Sequence, residues 1–266
     1  MILAVDIGNT TTMVGIYEAE KLTGFYRIAS KTNKETGLST TADEIGLKIR
    51  QLLQIHHRAD VPVERLAVCS VVPDLIQVYT KMAEKYFKAK TWVLDHKSDL
   101  GMKIDVDEPA QVGPDRLANA IAVKEIHGSP AIVVDLGTAT TFDVVNDNGD
   151  YIGGAIAPGI LTSSAELFRK ASRLFPVQLE KPDRCIGSNT ADSMKSGIFY
   201  GALGMIDYIV EKIIAELGKK KVKVIATGGY AEMFSLHSKY IQKVDPVLTL
   251  AGLILAYKRN NVINDV

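Results

Sequence analysis

One short pattern occurs twice, and it limits the possible folds more than any other feature of the chain. An apolar, β-branched run ends in Asp6-Ile7-Gly8-Asn9-Thr10-Thr11-Thr12 and passes into a second apolar run. The same arrangement returns 129 residues later as Asp135-Leu136-Gly137-Thr138-Ala139-Thr140-Thr141. At that offset Asp6 coincides with Asp135, Gly8 with Gly137, Thr11 with Thr140 and Thr12 with Thr141. Strands disfavour Asp and Gly, so both belong where a strand stops. Each copy therefore reads as a β-hairpin with an acid at the end of its first strand and hydroxyls at its tip. A repeat at half the chain length predicts two similar halves, not a solenoid of short units.

Such a tip has a chemistry. Glycine allows positive φ, and successive backbone N–H groups can then face one anion. Threonine hydroxyls add donors beside them. The tip can hold a phosphate without lysine, while the carboxylate holds a metal ion bound to that phosphate. One copy alone would be read as an ordinary turn; two aligned copies with the same acid favour the phosphate reading.

Composition excludes several alternatives. The chain has 266 residues, 47% of them hydrophobic, enough for two globular domains. Its 31 acids balance 31 Lys and Arg, so nothing steers it towards nucleic acid or an anionic membrane. Cys69 and Cys185 form no CxxC and read as free thiols of a reducing compartment. No signal peptide is visible, and the longest apolar stretch, Leu248 to Tyr257, is too short to span a bilayer. A cytoplasmic protein is expected.

Along the chain, strands are expected at 2–8, 12–17 and 22–29, then a polar surface loop over 30–40. Thr41 and Glu44 form a capping-box pattern for a helix with Ile45, Ile49, Leu52 and Leu53 on one face. A strand at 66–72 and a helix from Pro73 to Phe87 follow, then a strand at 91–94 and an irregular stretch to Val112. Gly113-Pro114-Asp115-Arg116 opens a helix to about Ile126, and Gly128 and Pro130 end it. The halves are accordingly 1–128 and 129–266. The second half repeats the order with strands at 131–136, 140–146 and 151–157. Ser163 and Glu166 suggest a second capping box, with Leu167, Phe168, Ala171 and Leu174 facing inward. A long helix over 191–217 carries Gly197, Gly201 and Gly204 on one face, which implies close approach by a ligand, a strand or another helix. A strand at 222–226 ends in Thr227-Gly228-Gly229, in the place that Cys69-Ser70 holds in the first half. An apolar helix, 249–257, closes the chain.

This α/β order, βββαβαβα roughly twice over with paired Asp-x-Gly hairpins, resembles the duplicated ribonuclease H-like fold of actin, the chaperone ATPases and the sugar and acetate kinases. That resemblance implies an ATP cleft between two domains. The motifs of competing nucleotide folds, GxxxxGK[ST] and GxGxxG after a strand, are missing from the sequence. Six motifs in order narrow the resemblance: Asp6 to Thr10, Gly113 to Arg116, Asp135 to Thr140, Gly153 to Gly159, Gly187 to Thr190, and Thr227 to Gly229. Together they resemble the type III pantothenate kinases. That family implies ATP-dependent phosphorylation of pantothenate to 4′-phosphopantothenate, the first step of coenzyme A biosynthesis. It also implies a homodimer, Mg²⁺ and a monovalent cation, K⁺ or NH₄⁺.

The resemblance also implies roles. Asp6, Ile7, Gly8, Asn9, Thr10, Thr11, Thr12 and Met13 would form the first phosphate loop, with Asp6 near the magnesium. Asp115 would take the proton of the substrate hydroxyl, and Gly113, Pro114, Asp115 and Arg116 would bind pantothenate. Asp135 would hold the monovalent cation, Thr138 would touch ATP, and Thr190 would contact pantothenate. Pro114 stands where the family usually has Ala or Val, and Val106 where many members have Tyr. A carboxylate in a first helical turn is expected to be a weakened base, because the dipole favours its charged form. Two other readings are a non-enzymatic accessory factor and a kinase for another small alcohol or a phosphatase of the same superfamily. The presence of Asp6, Asp115 and Asp135 argues against the first.

Overall fold

The computed structural model describes residues 1–19, 21–30, 40–219 and 221–261. The polar loop expected over 30–40 falls, apart from its two ends, outside the described residues. The chain divides into two compact units. One is Met1–Ala122 with Val247–Val266, and the other is Val123–Pro246.

The first unit opens with β1 (Ile2–Ile7), β2 (Thr11–Glu18) and β3 (Lys21–Ala29), an antiparallel meander. Helix α1 (Ala42–Ile55) starts at the expected capping box: Glu44 N–H donates to the Thr41 hydroxyl at 3.2 Å, and Thr41 N–H donates to the Glu44 carboxylate at 2.8 Å. Then come β4 (Arg65–Ser70), α2 (Pro73–Phe87) with Pro73 in its first turn, and β5 (Lys90–Val93). After an irregular stretch, α3 (Pro114–Ala122) ends the first pass. The strands lie in the order β3-β2-β1-β4-β5, with β4 parallel to β1 and β5 parallel to β4.

Alternation along these strands separates two packed faces. Leu3, Val5, Ile7, Leu66 and Val68 meet Ile45, Ile49, Leu75, Tyr79 and Met82 of α1 and α2. Ala4, Ala67 and Cys69 lie on the other face, beneath Leu117, Ala118 and Ile121 of α3. By the same alternation Asp6 belongs to the α3 face.

The second unit begins with a single π-helical turn, Val123–His127, and then repeats the plan. Its elements are β6 (Ala131–Leu136), β7 (Ala139–Val145), β8 (Tyr151–Pro158), α4 (Ile160–Lys170), α5 (Thr190–Leu217), β9 (Lys223–Thr227), α6 (Ala231–Ser235) and β10 (Lys243–Val244). The order β10-β9-β6-β7-β8 is that of the first sheet, with β9 parallel to β6. The fold is thus a duplicated ribonuclease H-like one.

The last helix, α7 (Leu248–Asn261), does not stay with the half that precedes it. It packs on α3 so closely that a Cβ at Gly252 would overlap the Ala118 carbonyl oxygen, and the Thr249 hydroxyl donates to Asn119 Oδ1 at 2.8 Å. Leu250, Leu253 and Ile254 complete the α3 face of the first sheet. The partition at 128/129 is corrected accordingly: the first unit ends at Ala122 and recovers the chain from Val247. Helix α4 also departs from expectation. Its N-cap is Gly159, with no side-chain cap, and Ser163 lies inside the helix. Ser164 donates to the Ile160 carbonyl at 2.7 Å, and Glu166 pairs with Arg169. Serine and glutamate three residues apart satisfy the capping pattern equally well inside a helix. Position 159 cannot be a side-chain cap, because a Cβ there would collide with the Thr138 carbonyl oxygen and lie 2.6 Å from that of Gly137. Among the described residues, no helix is long and apolar enough to cross a membrane.

Candidate active site

The first hairpin tip is built by four residues. Gly8 N–H donates to the Thr11 carbonyl at 3.1 Å, and Ile7 stands opposite Thr12 in the ladder. Gly8 does not adopt a left-handed backbone, contrary to the expected positive φ. Glycine is needed there for space: a Cβ would lie 2.9 Å from the Thr11 carbonyl oxygen. Asn9, Thr10 and Thr11 are exposed, Asp6, Gly8 and Met13 are half-buried, and Ile7 and Thr12 are buried. The side chains of Ile7 and Thr12 therefore shape the tip from within.

Asp6 and Asp115 belong to one neighbourhood. In the parallel ladder Asp6 is registered with Cys69, which is fully buried. Burial pushes the Cys69 thiol pKa well up, and the negative charges of Asp6 and Asp115 push it further, as does its hydrogen bond to Asp6. The thiol is thus neutral and faces both carboxylates. Asp115 sits in the first turn of α3 on the same face of the sheet and accepts the Arg116 N–H at 2.8 Å. A Cβ at Gly113 would overlap its carboxylate, so glycine leaves room for the acid to fold back over the helix start. Desolvation raises the pKa of Asp115, against the Arg116 hydrogen bond and the Arg116 charge. The expected weakening of this base is therefore reversed: burial outweighs the helix terminus. Pro114 and Arg116 flank it half-buried in the same turn, and Val106 is half-buried in the irregular stretch before it.

The second tip has three residues, Gly137 N–H donating to the Ala139 carbonyl at 3.0 Å. Leu136 pairs with Thr140, where Ile7 pairs with Thr12. The structural counterpart of Thr12 is therefore Thr140, not Thr141, and the constant offset of 129 holds only as far as the tip. Gly137 is also not left-handed, and a Cβ there would make only ordinary 3.6 Å contacts. A left-handed glycine does stand beside this tip, Gly228 at φ +92°, whose Cβ would lie 2.6 Å from Asp135 Oδ1 and 2.7 Å from the Leu136 backbone. Asp135 is registered with Thr227, as Asp6 is with Cys69. This match repeats the acid, and the polar residue beside it, in both units. Thr138 is exposed at the tip, and its carbonyl accepts the Thr162 hydroxyl at 2.7 Å.

Thr190 lies in the first turn of α5, after Asn189, whose side chain accepts the Asp192 N–H at 2.9 Å. It lines an open, largely apolar pocket of about 800 Å³ between α4 and α5. Ile160, Ser164, Asn189, Gly197 and Gly201 share this lining. Nothing described lies within 4 Å of a Cβ at Gly197, Gly201 or Gly204, so that face is open among the described residues.

No group of three or more His, Cys, Asp or Glu that could hold a metal ion occurs among the described residues. Single carboxylates at Asp6 and Asp135 suit a cation that completes its shell with phosphate oxygens and water, which is the habit of Mg²⁺. Cys69 is a site neighbour that by sequence alone reads as a plain free thiol; the place it shares with Thr227 beside an acid is the signal that points to it.

A sequence model described as Type III pantothenate kinase matches residues 2–212. Curated proteins of that name resemble the chain along its length. The one from Moorella thermoacetica is 43% identical over 98% of this chain and 100% of its own length. Those from Myxococcus xanthus and Halalkalibacterium halodurans are 42% and 40% identical, over 98% of this chain and 99% and 100% of theirs. Among solved structures, a protein named as a Baf family transcriptional activator from Campylobacter jejuni aligns with a TM-score of 0.60 at 21% identity, over 98% of this chain and 99% of that one. The ethanolamine utilization protein EutJ from Carboxydothermus hydrogenoformans aligns with a TM-score of 0.52 at 16% identity, over 95% and 88%. At such identities these two show the fold alone.

Proposed function

The chain belongs to the type III pantothenate kinase family, and we propose on that basis how its residues share the transfer of a phosphoryl group from ATP to pantothenate. The protein is a kinase that phosphorylates pantothenate in coenzyme A biosynthesis, using ATP and a divalent metal. Phosphoryl transfer passes through a loose transition state, so positioning and charge neutralisation carry most of the catalysis.

In our reading the tip from Asp6 to Met13 receives the phosphates, with Asn9, Thr10 and Thr11 as its outward donors. Asp6 would hold Mg²⁺, which would supply positive charge to neutralise the phosphates. Asp115 accepts the proton of the pantothenate hydroxyl and orients its oxygen for in-line attack, while Gly113, Pro114 and Arg116 shape the acceptor site. Asp135 carries the monovalent cation, K⁺ or NH₄⁺, Thr138 contacts ATP, and Thr190 contacts pantothenate. A second copy of the chain covers the open glycine face of α5, giving a homodimer.

The observation that carries this division is the placement of Asp6 and Asp115 on one face of one sheet around a neutral buried thiol. The burial of Asp115 supports its role, since a raised pKa makes a better proton acceptor. The test is an assay of labelled pantothenate, pantetheine and simple sugars with ATP, with and without K⁺ or NH₄⁺, alongside light scattering. Product from pantothenate alone, enhanced by the monovalent ion, in a particle of twice the chain mass is expected. Product with none of the alcohols would favour an accessory role.

A further inference from the structure

We propose that Ser30 is a positioning residue for nucleotide binding, its buried hydroxyl setting the shape of the first tip. The inference rests on the reading of that tip as the phosphate loop.

Ser30 follows β3 and is 1% exposed. Its Oγ lies 2.7 Å from the Gly8 carbonyl oxygen and 2.9 Å from Thr12 Oγ1. A carbonyl can only accept, and a serine hydroxyl has one proton. Ser30 therefore donates to Gly8, and Thr12 donates to Ser30. The Ser30 backbone N–H adds a bond to the Thr10 carbonyl at 3.0 Å. Two tip residues, 8 and 10, and Thr12 at its base are thus tied to one serine. In a trans peptide the C=O and the following N–H point opposite ways. Pinning the Gly8 carbonyl towards buried Ser30 turns the Asn9 N–H the other way, where Asn9, Thr10 and Thr11 are exposed. The brace therefore aims a donor as well as holding a loop.

The second tip is braced differently, by the Thr162 hydroxyl on the Thr138 carbonyl. By register, Ala29 stands opposite Thr11 and Pro158 opposite Ala139, so the place of Ser30 is taken by Gly159. Thr140, the counterpart of Thr12, is fully buried with no hydrogen-bond partner for its hydroxyl. The Tyr79 hydroxyl also lies beside Thr12, so removing the Ser30 hydroxyl would leave Thr12 better placed than Thr140, whose unpartnered state this fold tolerates.

The experiment compares Ser30→Ala and Ser30→Thr in the full-length protein. ATP affinity is measured directly by calorimetry, with separate KM values for both substrates, kcat and thermal stability. Losing one hydrogen bond that preorganises the tip is worth about 1 kcal/mol, so Ser30→Ala should weaken ATP binding by roughly five- to tenfold. The KM for ATP should rise with it, while the pantothenate KM and the kcat at saturating ATP stay within twofold. Ser30→Thr, which keeps the hydroxyl, should restore ATP affinity. Unchanged ATP affinity in Ser30→Ala overturns the proposal. So does a parallel fall in kcat and both affinities that tracks the folded fraction. If Ser30→Ala does not fold, Ser30→Cys, which keeps the side-chain volume and replaces the hydroxyl by a weak donor, decides: weakened ATP binding in a folded protein supports the proposal, and unchanged binding overturns it. Failure of the wild type to phosphorylate pantothenate would strike the kinase reading, whereas ATP binding would still report on Ser30.

Discussion

Replacing Asp115 with Asn separates chemistry from architecture. The amide keeps the shape of the side chain and an oxygen for the Arg116 N–H, now bonded at 2.8 Å, and removes the base. A positioned general base contributes about 10²- to 10⁴-fold. In a loose transition state the hydroxyl proton leaves late, so the lower end applies: a kcat loss of about 10²- to 10³-fold, or roughly 3–4 kcal/mol in activation free energy. ATP affinity should stay within about twofold, since the tip rides on β1 and β2 and Asp115 on α3. Stability should move the other way. An ordinary aspartate carboxyl titrates near 3.8, and burial raises the folded value. Between those two pKa values the native state binds more protons than the unfolded one, so stability falls as pH rises through that window. Above it, including at neutral pH, the full cost of burying the charge is present. Asp115→Asn removes that cost, so its melting temperature should exceed the wild type's at pH 7, with the gap closing below about pH 4. The wild-type kcat/KM should show an acid limb displaced above the ordinary aspartate range. A coupled ADP-release assay and melting curves from pH 3.5 to 8 test all of this. Near-normal turnover would remove Asp115 from the chemistry, and a lower melting temperature at neutral pH would show that burial is not what perturbs it.

Other substitutions probe the scaffold. Gly252→Ala places a methyl against the Ala118 carbonyl, 2.6 Å from its carbon; overpacking of about 1–3 kcal/mol exceeds the roughly 1 kcal/mol gained in helix propensity, so urea unfolding should show a net loss, and kcat should fall because α3 carries Asp115. Gly228→Ala, with its left-handed backbone and a 2.6 Å approach to Asp135, should cost about 2–4 kcal/mol, whereas Gly137→Ala, with ordinary 3.6 Å contacts, should cost less than about 1; equal melting temperatures for the two would contradict this account. Gly201→Ala meets no described residue of its own chain and should stabilise an isolated subunit by about 1 kcal/mol. In the proposed homodimer it should instead weaken association in light scattering, and an unchanged mass with a raised melting temperature would clear this face of any partner.

Much of this arrangement was legible because Asp and Gly interrupt apolar runs wherever a strand ends. Both hairpins, the Thr41 cap, Pro73 at the start of α2 and the place shared by Cys69 and Thr227 follow from local chemistry that no tertiary contact overrides. What was missed depends on contacts distant in sequence. The return of α7 to α3 depends on a fit between Gly252 and Ala118, which no periodicity encodes. The rise in the Asp115 pKa depends on what buries it, so the helix terminus alone gave the wrong sign. The Ser163 pattern failed because the space beside Thr138, not a hydroxyl, decides where α4 begins.

The Thr11 and Thr140 alignment failed for a more informative reason. The two tips differ by one residue and are braced differently, the first by the Ser30 hydroxyl, the second by glycines pressed against Asp135 and Thr138. The carboxylates nevertheless occupy the same register, each opposite a polar residue on the neighbouring parallel strand. That register belongs to the sheet, which both units build in the same order, whereas a tip can gain or lose a residue without shifting the strand before it. The acid is therefore the part of the motif that the fold copies, and the tip is the part each unit can adapt to a different cation or phosphate. On this view, exchanging the two tips while leaving Asp6 and Asp135 in place should preserve folding and alter nucleotide or cation affinity.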